Sequence, residues 1–201
     1  MQTKEIKQFY TIEEYLEFED QADTKHQLYN GEIFAMSGAT LNHNIIASYT
    51  SFALMNAFKG KPCIVTGADL KVQIEKNGLF TYPDVSIFCG EPEFYKNRND
   101  TITNPILIVE VLSDSIEAFE RGKKFELYRT LESFKHYILI SQKEIHVEYY
   151  FKNEKSNWEL EEFKEMKDIL KIHNLNVEIS LEEIYSKVKF ETDKTQSNFL
   201  N

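Results

Sequence analysis

The sequence predicts an α/β (α+β) chain: a mixed sheet flanked by helices, with a β-hairpin before it and a β-meander after it. Three observations support this class. Segments of helical periodicity alternate with strand-like ones. The run Ile106-Leu107-Ile108-Val109-Glu110-Val111-Leu112 is apolar on both faces except at Glu110, as in a strand covered on both sides. The pair Asn30-Gly31 stands between two short strand-like runs, the arrangement that a tight hairpin turn requires. With 201 residues, 42% hydrophobic and 13% aromatic, the chain can bury one substantial core.

Thr11-Ile-Glu-Glu14 fits a capping box and predicts a short acidic helix over about 12–20. A hairpin follows over 26–36. Residues 41–58 lack Gly and Pro and carry Ile46, Tyr49, Ala53, Leu54 and Ala57 at helical spacing, which predicts a core-facing helix closed near Gly60. Leu70, Val72 and Ile74 alternate with Asp69, Lys71, Gln73 and Glu75, predicting a half-buried strand that turns at Asn77-Gly78. The next strand is expected over Tyr82–Phe88 and the buried one over Ile106–Leu112, with an exposed loop from Gly90 to Asn104 between them. A helix over about 117–131 and a strand over Tyr137–Ile140 complete a core of about 41–141 in the order helix, three strands, helix, strand. The segments 146–151, 158–163 and 168–178 read as the meander, and Ser180-Leu-Glu-Glu183 caps a last short helix. Residues 1–189 are expected to form one domain and 190–201 a loose tail.

Composition narrows the function. No stretch approaches the roughly 20 apolar residues of a membrane span and no apolar leader opens the chain, so a cytoplasmic protein is expected. Cys63 and Cys89 have no metal-ligand spacing, and reduced thiols are the expectation. The net charge of −10 argues against nonspecific coating of nucleic acid, which needs Lys and Arg. The charge is uneven, however: residues 1–20 carry −4 and 144–201 carry −5, whereas 21–143 carry only −1. That middle segment can meet a polyanion if a divalent cation neutralises its acids.

Glu110 is the informative residue. A carboxylate taken out of water needs a cation, a metal or a proton. Asp84 precedes it by 26 residues, and period two puts Asp84 and Ser86 on one strand face with Val85 and Ile87 on the other. Lys124 follows it by 14, and Leu127, Tyr128 and Leu131 extend an apolar stripe from Lys124, so the ammonium should point toward the sheet. Each has a plainer reading: a turn acid for Asp84, a structural ion pair for Glu110, and for Lys124 an i,i+4 pair with Glu120 worth a few tenths of a kcal/mol. Together, two inward acids and one inward Lys suit metal-assisted phosphodiester hydrolysis, in which hard oxygens hold Mg²⁺ or Mn²⁺ and an ammonium steadies the developing charge.

The element order and the trio Pro83-Asp84, Glu110-Val111-Leu112 and Lys124 resemble the PD-(D/E)XK restriction-endonuclease-like superfamily. The closer resemblance is to its Uma2 group. It rests on Tyr29-Asn-Gly-Glu-Ile33, Met36-Ser-Gly-Ala39, His43, Asp69-Leu-Lys-Val72, Pro83-Asp-Val85, Val109-Glu-Val-Leu-Ser113 and Arg121-Gly-Lys-Lys124 with Leu127-Tyr128, spanning about residues 10–185. The resemblance implies a restriction-endonuclease-like core, αβββαβ, and a Mg²⁺- or Mn²⁺-dependent endonuclease acting on DNA, as a homodimer. It makes Asp84 and Glu110 metal ligands with the Val111 backbone carbonyl as a third, and Lys124 catalytic. Glu32, His43 and Asp69 hold positions that can approach the site. Leu112 stands where the superfamily usually has its motif Lys. Ile138 and Ser141 stand where the group often has an aromatic residue and an Asp, and Gln27 where it often has an acid. The absent Lys and the charge of −10 motivate a second reading, a non-hydrolytic nucleic-acid or protein-binding module on the same fold.

Overall fold

The computed structural model describes residues 9–36, 38–74, 78–113 and 116–190. Helix α1 (Ile12–Glu19) opens with the expected capping box between Thr11 and Glu14. Strands β1 (His26–Tyr29) and β2 (Glu32–Ala35) form the hairpin, with Asn30 and Gly31 both left-handed at φ 50° and 80°. Helix α2 (Leu41–Ala57) is capped by Thr40. Then come β3 (Cys63–Gly67), β4 (Lys71–Ile74), β5 (Leu79–Thr81), β6 (Val85–Cys89), β7 (Thr101–Ile102) and β8 (Leu107–Leu112). Helix α3 (Glu117–Phe119) runs through a π-helical turn, Glu120–Lys124, into α4 (Phe125–Tyr128). The chain continues through β9 (His136–Ser141), β10 (Val147–Lys152), β11 (Trp158–Phe163), β12 (Ile169–Ile172) and β13 (Val177–Ser180) to α5 (Leu181–Tyr185), capped by Ser180 and Glu183.

The main sheet has the order β11-β10-β9-β8-β6-β3. Only β8 and β9 run parallel in it, and the crossover that a parallel pair requires is supplied by α3 and α4. A second sheet, β2-β1-β5-β4-β7, packs beside it, and β12 and β13 pair separately. Strand period sorts the main sheet's residues between two layers. Val85, Ile87, Leu107, Val109, Val111, Ile138 and Ile140 meet Ile46, Ala53 and Leu54 of α2 and Ile184 and Tyr185 of α5. Phe88, Ile108, Leu112, Tyr137 and Leu139 meet Phe125, Leu127 and Tyr128 of α4 and Val72, Ile74 and Leu79 of the second sheet. Glu110 lies in phase with the second set.

Several expectations need correction. The first of the three core strands is β3, not the segment 70–75: Lys71–Ile74 belongs to the second sheet and is buried throughout rather than half-buried. Lys71 is neutralised there by Asp100 at 2.6 Å, so a polar residue in the alternating pattern still goes inside. The strand expected over 82–88 is split between two sheets, because the chain leaves the second sheet after Thr81 and enters the main one at Val85. The expected loop 90–104 contains β7, whose Ile102 is fully buried and pairs in parallel with β4, while Arg98 is bonded to both Asp20 and Asp100. The segments of the meander divide: β10 and β11 extend the main sheet, and β12 and β13 stand apart. Phe190 packs 5.7 Å from the Tyr185 ring, while 191–201 of the expected tail, Asn77 of the expected turn and Glu75 of the expected strand lie outside the described residues.

The cysteines are joined, not free: Cys63 on β3 lies directly opposite Cys89 on β6 and forms a disulfide with it. Sequence separation alone does not reveal this, since antiparallel register decides which residues face each other. Deeper in the sheet, His136 is buried beside Tyr149, whose hydroxyl lies 2.8 Å from Nδ1. Burial, helped by the charges of His173 and Lys135, pushes the His136 pKa down to about 4.

Two outcomes are expected. Reduction of the Cys63–Cys89 bond, or the paired Cys63→Ser and Cys89→Ser changes, should lower the unfolding free energy by about 3 kcal/mol in urea titrations, the order set by closing a loop of this length. His136 stays neutral in the folded state and regains an ordinary pKa on unfolding, so its contribution is intact above about pH 6.5 and is lost as pH falls toward 4, by about 3 kcal/mol in total. The pH dependence of stability should flatten by that amount in His136→Gln.

Candidate functional site

The buried acid of β8 finds its cation. Lys124 Nζ lies 2.7 Å from Glu110 Oε1, and both side chains are almost wholly enclosed. The Tyr128 hydroxyl donates to the same oxygen at 3.1 Å. Lys124 and Tyr128 are one turn apart on the stripe that faces the sheet, so helical spacing brings both to one strand residue. Lys124 also lies 3.7 Å from Glu120 Oε1, inside the π-helical turn, where Glu120 is as buried as its partner. Such turns occur often at functional sites. The i,i+4 pair of Glu120 with Lys124 that sequence spacing offered as an alternative is therefore present, and buried, beside the pair with Glu110.

Asp84 joins from the neighbouring strand. One step beyond the pair Val85–Val109, the antiparallel register sets Asp84 opposite Glu110. Its Oδ2 accepts the Val111 N–H at 2.7 Å. His43, on the first turn of α2, brings Nε2 to 3.4 Å from the same oxygen. These two side chains are 16% and 15% exposed, against 2–3% for the enclosed pair. Among the described residues, His43 Nδ1 and Glu120 Oε2 are buried without a hydrogen-bond partner.

Three carboxylates thus share one ammonium and one imidazole, and the electrostatics reflect that imbalance. Burial, with Asp84 reinforcing it and Lys124 opposing it, holds the Glu110 carboxyl above the usual range. Burial again, opposed by Lys124 and reinforced by Glu110 and Asp84, pushes Glu120 up to about 8. For Lys124, burial works against the charged form, but Glu110 and Glu120 outweigh it and raise its pKa. His43 follows the same pattern: burial opposes its charge, and Asp84, Glu110 and the Val111 carbonyl overcome it. Asp84 stands opposite Glu110 across the strand pair, the Val111 carbonyl faces His43, and one Glu120 oxygen is unpartnered, which are hard oxygens of the kind a divalent cation takes.

Of the residues singled out from sequence, Asp84, Glu110, Lys124, His43 and the Val111 backbone come together. Glu32 does not belong to this cluster; it is exposed on β2, the outer strand of the second sheet. Asp69 is also elsewhere, exposed and paired with Lys25 in the turn that carries the chain from β3 of the main sheet to β4 of the second. Glu120 and Tyr128 are the members that sequence reasoning passed over. Tyr128 was visible as a hydroxyl on the apolar stripe; Glu120 was hidden because its spacing from Lys124 also suits a surface pair. A second group, His146, Glu148 and Glu162 on the β10 side of the sheet, already has Arg121 and Lys164 against its carboxylates.

Comparison with known proteins agrees with this architecture. A family model described as "Uma2: Putative restriction endonuclease" matches residues 12–182. An uncharacterized protein of Synechocystis sp. is 35% identical over 178 residues, 89% of this chain and 92% of that protein. Another from the same organism is 36% identical over 152 residues, 76% of this chain and 86% of that protein. The crystal structure of a nuclease described as putative, of the group DUF820 from Anabaena variabilis, superposes with a TM-score of 0.71 at 17% identity, covering 88% of this chain and 97% of that one. Among the described residues no helix is long and apolar enough to cross a membrane. A core of helix, three strands, helix and strand, with acids on two adjoining strands and a Lys on the crossover helix, thus comes with a family match over most of its length: the chain belongs to the Uma2 family of the restriction-endonuclease-like superfamily.

Proposed function

We propose that the protein is a metal-dependent endonuclease that hydrolyses DNA phosphodiester bonds at the Asp84–Glu110–Lys124 cluster. The single observation that carries this reading is the excess of buried carboxylate around one ammonium, with a Glu120 oxygen left unpartnered. A purely structural ion pair needs one acid and one base, not three acids.

Mg²⁺ or Mn²⁺ held by Asp84, Glu110 and the Val111 carbonyl would supply Lewis acidity toward the scissile phosphate. The protein's own groups do the rest. Asp84 is fixed in place by the Val111 N–H, so its oxygens are preorganised. Lys124, held by Glu110, orients the attacking water and stabilises the negative charge that grows on the phosphoryl oxygens as the water oxygen bonds to phosphorus and the bond to the leaving sugar oxygen breaks. Tyr128 keeps Glu110 in one rotamer. His43, at the solvent side, is positioned to contact the phosphate. Leu112, buried in the second layer, occupies the usual place of the motif Lys, and Lys124 reaches the same acid from the helix.

Leu112 together with the charge of −10 favours one other reading, binding of nucleic acid or protein without hydrolysis. The two separate cleanly in cleavage assays. The purified protein should cut linear, supercoiled, branched or single-stranded DNA when Mg²⁺ or Mn²⁺ is added, and Asp84→Ala should lose at least about two orders of magnitude in rate. Equal cutting by both proteins would sink the nuclease reading, and intact DNA in every metal would favour the binding module. Calorimetric titration with Mn²⁺ should show a site that Glu110→Ala abolishes; undiminished binding in that variant would place the metal elsewhere.

A further inference from the structure

Lys124 reaches the site from the crossover helix, and its second acid comes from the same helix one turn earlier. Its Nζ lies 2.7 Å from Glu110 Oε1, within hydrogen-bond reach, and 3.7 Å from Glu120 Oε1, just outside it. The Glu120 side chain is only 2% exposed, and its Oε2 has no hydrogen-bond partner among the described residues. What fixes the residue is its main chain: the Glu120 N–H donates to the Ile116 carbonyl at 2.9 Å, and the Tyr137 hydroxyl donates to the Glu120 carbonyl at 3.2 Å. The backbone thus holds in place a buried carboxyl group with one oxygen unused. A buried acceptor left without a donor is costly, so this one needs a reason.

Charge supplies the reason. Glu110 has two duties in the proposed site, as a ligand of the divalent cation and as the counter-ion of Lys124. With the cation on Asp84 and Glu110, two positive charges stand near the ammonium in a poorly screened interior, where Coulomb forces are strong. Lys124 then needs another acid, and among the described residues it pairs with Glu110 and Glu120 alone. In the unloaded site burial, opposed by Lys124 and reinforced by Glu110 and Asp84, pushes Glu120 up to about 8, so it is largely protonated at neutral pH. Once those two acids are neutralised, Glu120 loses that proton to solvent and pairs with Lys124 as a carboxylate.

We propose that Glu120 is the positioning residue of Lys124: it takes over the ammonium as Asp84 and Glu110 take the divalent cation, and so keeps Lys124 in the site while the metal is bound. This role presupposes the metal site proposed above, but not that the site cuts DNA. It also fits the displacement of the motif Lys. With Leu112 on the strand, the Lys comes from the crossover helix, and so does the acid that replaces Glu110 as its partner. Without Glu120, loading the cation leaves a buried ammonium with no acid of its own, so removing that carboxylate makes loading harder even with Asp84 and Glu110 intact.

The test is a double-mutant cycle on the full chain, read by calorimetric titration with Mn²⁺. Gln suits the unloaded site because Glu120 is largely neutral there, so Glu120→Gln should match the parent by circular dichroism. It should bind Mn²⁺ at least about tenfold more weakly, and in the Lys124→Met background the same change should cost less than about twofold. Glu120→Asp should recover part of the lost affinity. Equal Mn²⁺ affinity in the parent and Glu120→Gln would overturn the proposal. So would a loss undiminished in Lys124→Met, which would make Glu120 a ligand or a distant charge in its own right. If Lys124→Met does not fold, NMR of the Lys124 ammonium under Mg²⁺ decides instead: its signal should stay protected from water exchange in the parent and lose that protection in Glu120→Gln, and equal protection would refute the role. No Mn²⁺ binding by the parent would overturn it together with the metal site. Because the cycle is read on metal binding, a parent that binds Mn²⁺ and cuts no DNA loses the nuclease reading while Glu120 is still judged.

Discussion

The Glu110–Lys124 contact is the constraint around which the rest of the structure is arranged. Glu110 sits in the central region of a strand covered by α2 and α5 on one face and by α4 and the second sheet on the other. A lone carboxylate there would cost several kcal/mol, so the crossover helix between β8 and β9 must deliver a cation to that one residue. That requirement fixes the rotation of the helix about its axis, because only one stripe can face the sheet. The same stripe carries Tyr128, which gives Glu110 its second hydrogen bond.

Meeting that requirement costs more than it neutralises. The π-helical turn brings Glu120 inward with Lys124, and the register of β6 against β8 brings Asp84 alongside, so acids outnumber the ammonium. A core built only for stability would do better with apolar side chains of similar volume, since even a balanced buried ion pair often adds nothing. An unbalanced one is retained where a charge is expected to arrive. The group is closed on the helix side and open toward Asp84 and His43, the direction from which such a charge could enter.

The surroundings explain how Asp84 is held. The chain leaves the second sheet at Thr81 and crosses through Tyr82, whose ring centroid lies 5.5 and 5.4 Å from the ammonium groups of Lys25 and Lys71 and whose hydroxyl donates to Glu19 at 2.7 Å. Helix α1 and the Arg98–Asp100 loop thereby hold the connection Tyr82-Pro83-Asp84 between β5 and β6. This explains why a peripheral acidic helix and a polar loop, neither of which approaches Glu110, are built into the fold.

What the sequence determined was everything decided by local periodicity or by an energetic extreme. Both capping boxes, the Asn30-Gly31 hairpin, the helix over 41–57 and the helix after β8 follow from spacing alone, and Glu110 with the Lys124 stripe follows from the cost of burying charge. What the tertiary structure decided were the relations between segments far apart in the chain. Strand periodicity says which residues share a face but not which sheet the strand joins, so Lys71–Ile74 passed for a core strand and β3 was missed. Register likewise decided that Cys63 faces Cys89, that Asp69 lies away from the site and that Asp84 lies against Val111. Glu120 needed the π-helical turn to be seen as buried, because its charge and its spacing suit a solvated surface equally well. Local sequence specifies which way a side chain points relative to its own backbone; only packing and register specify what stands in front of it.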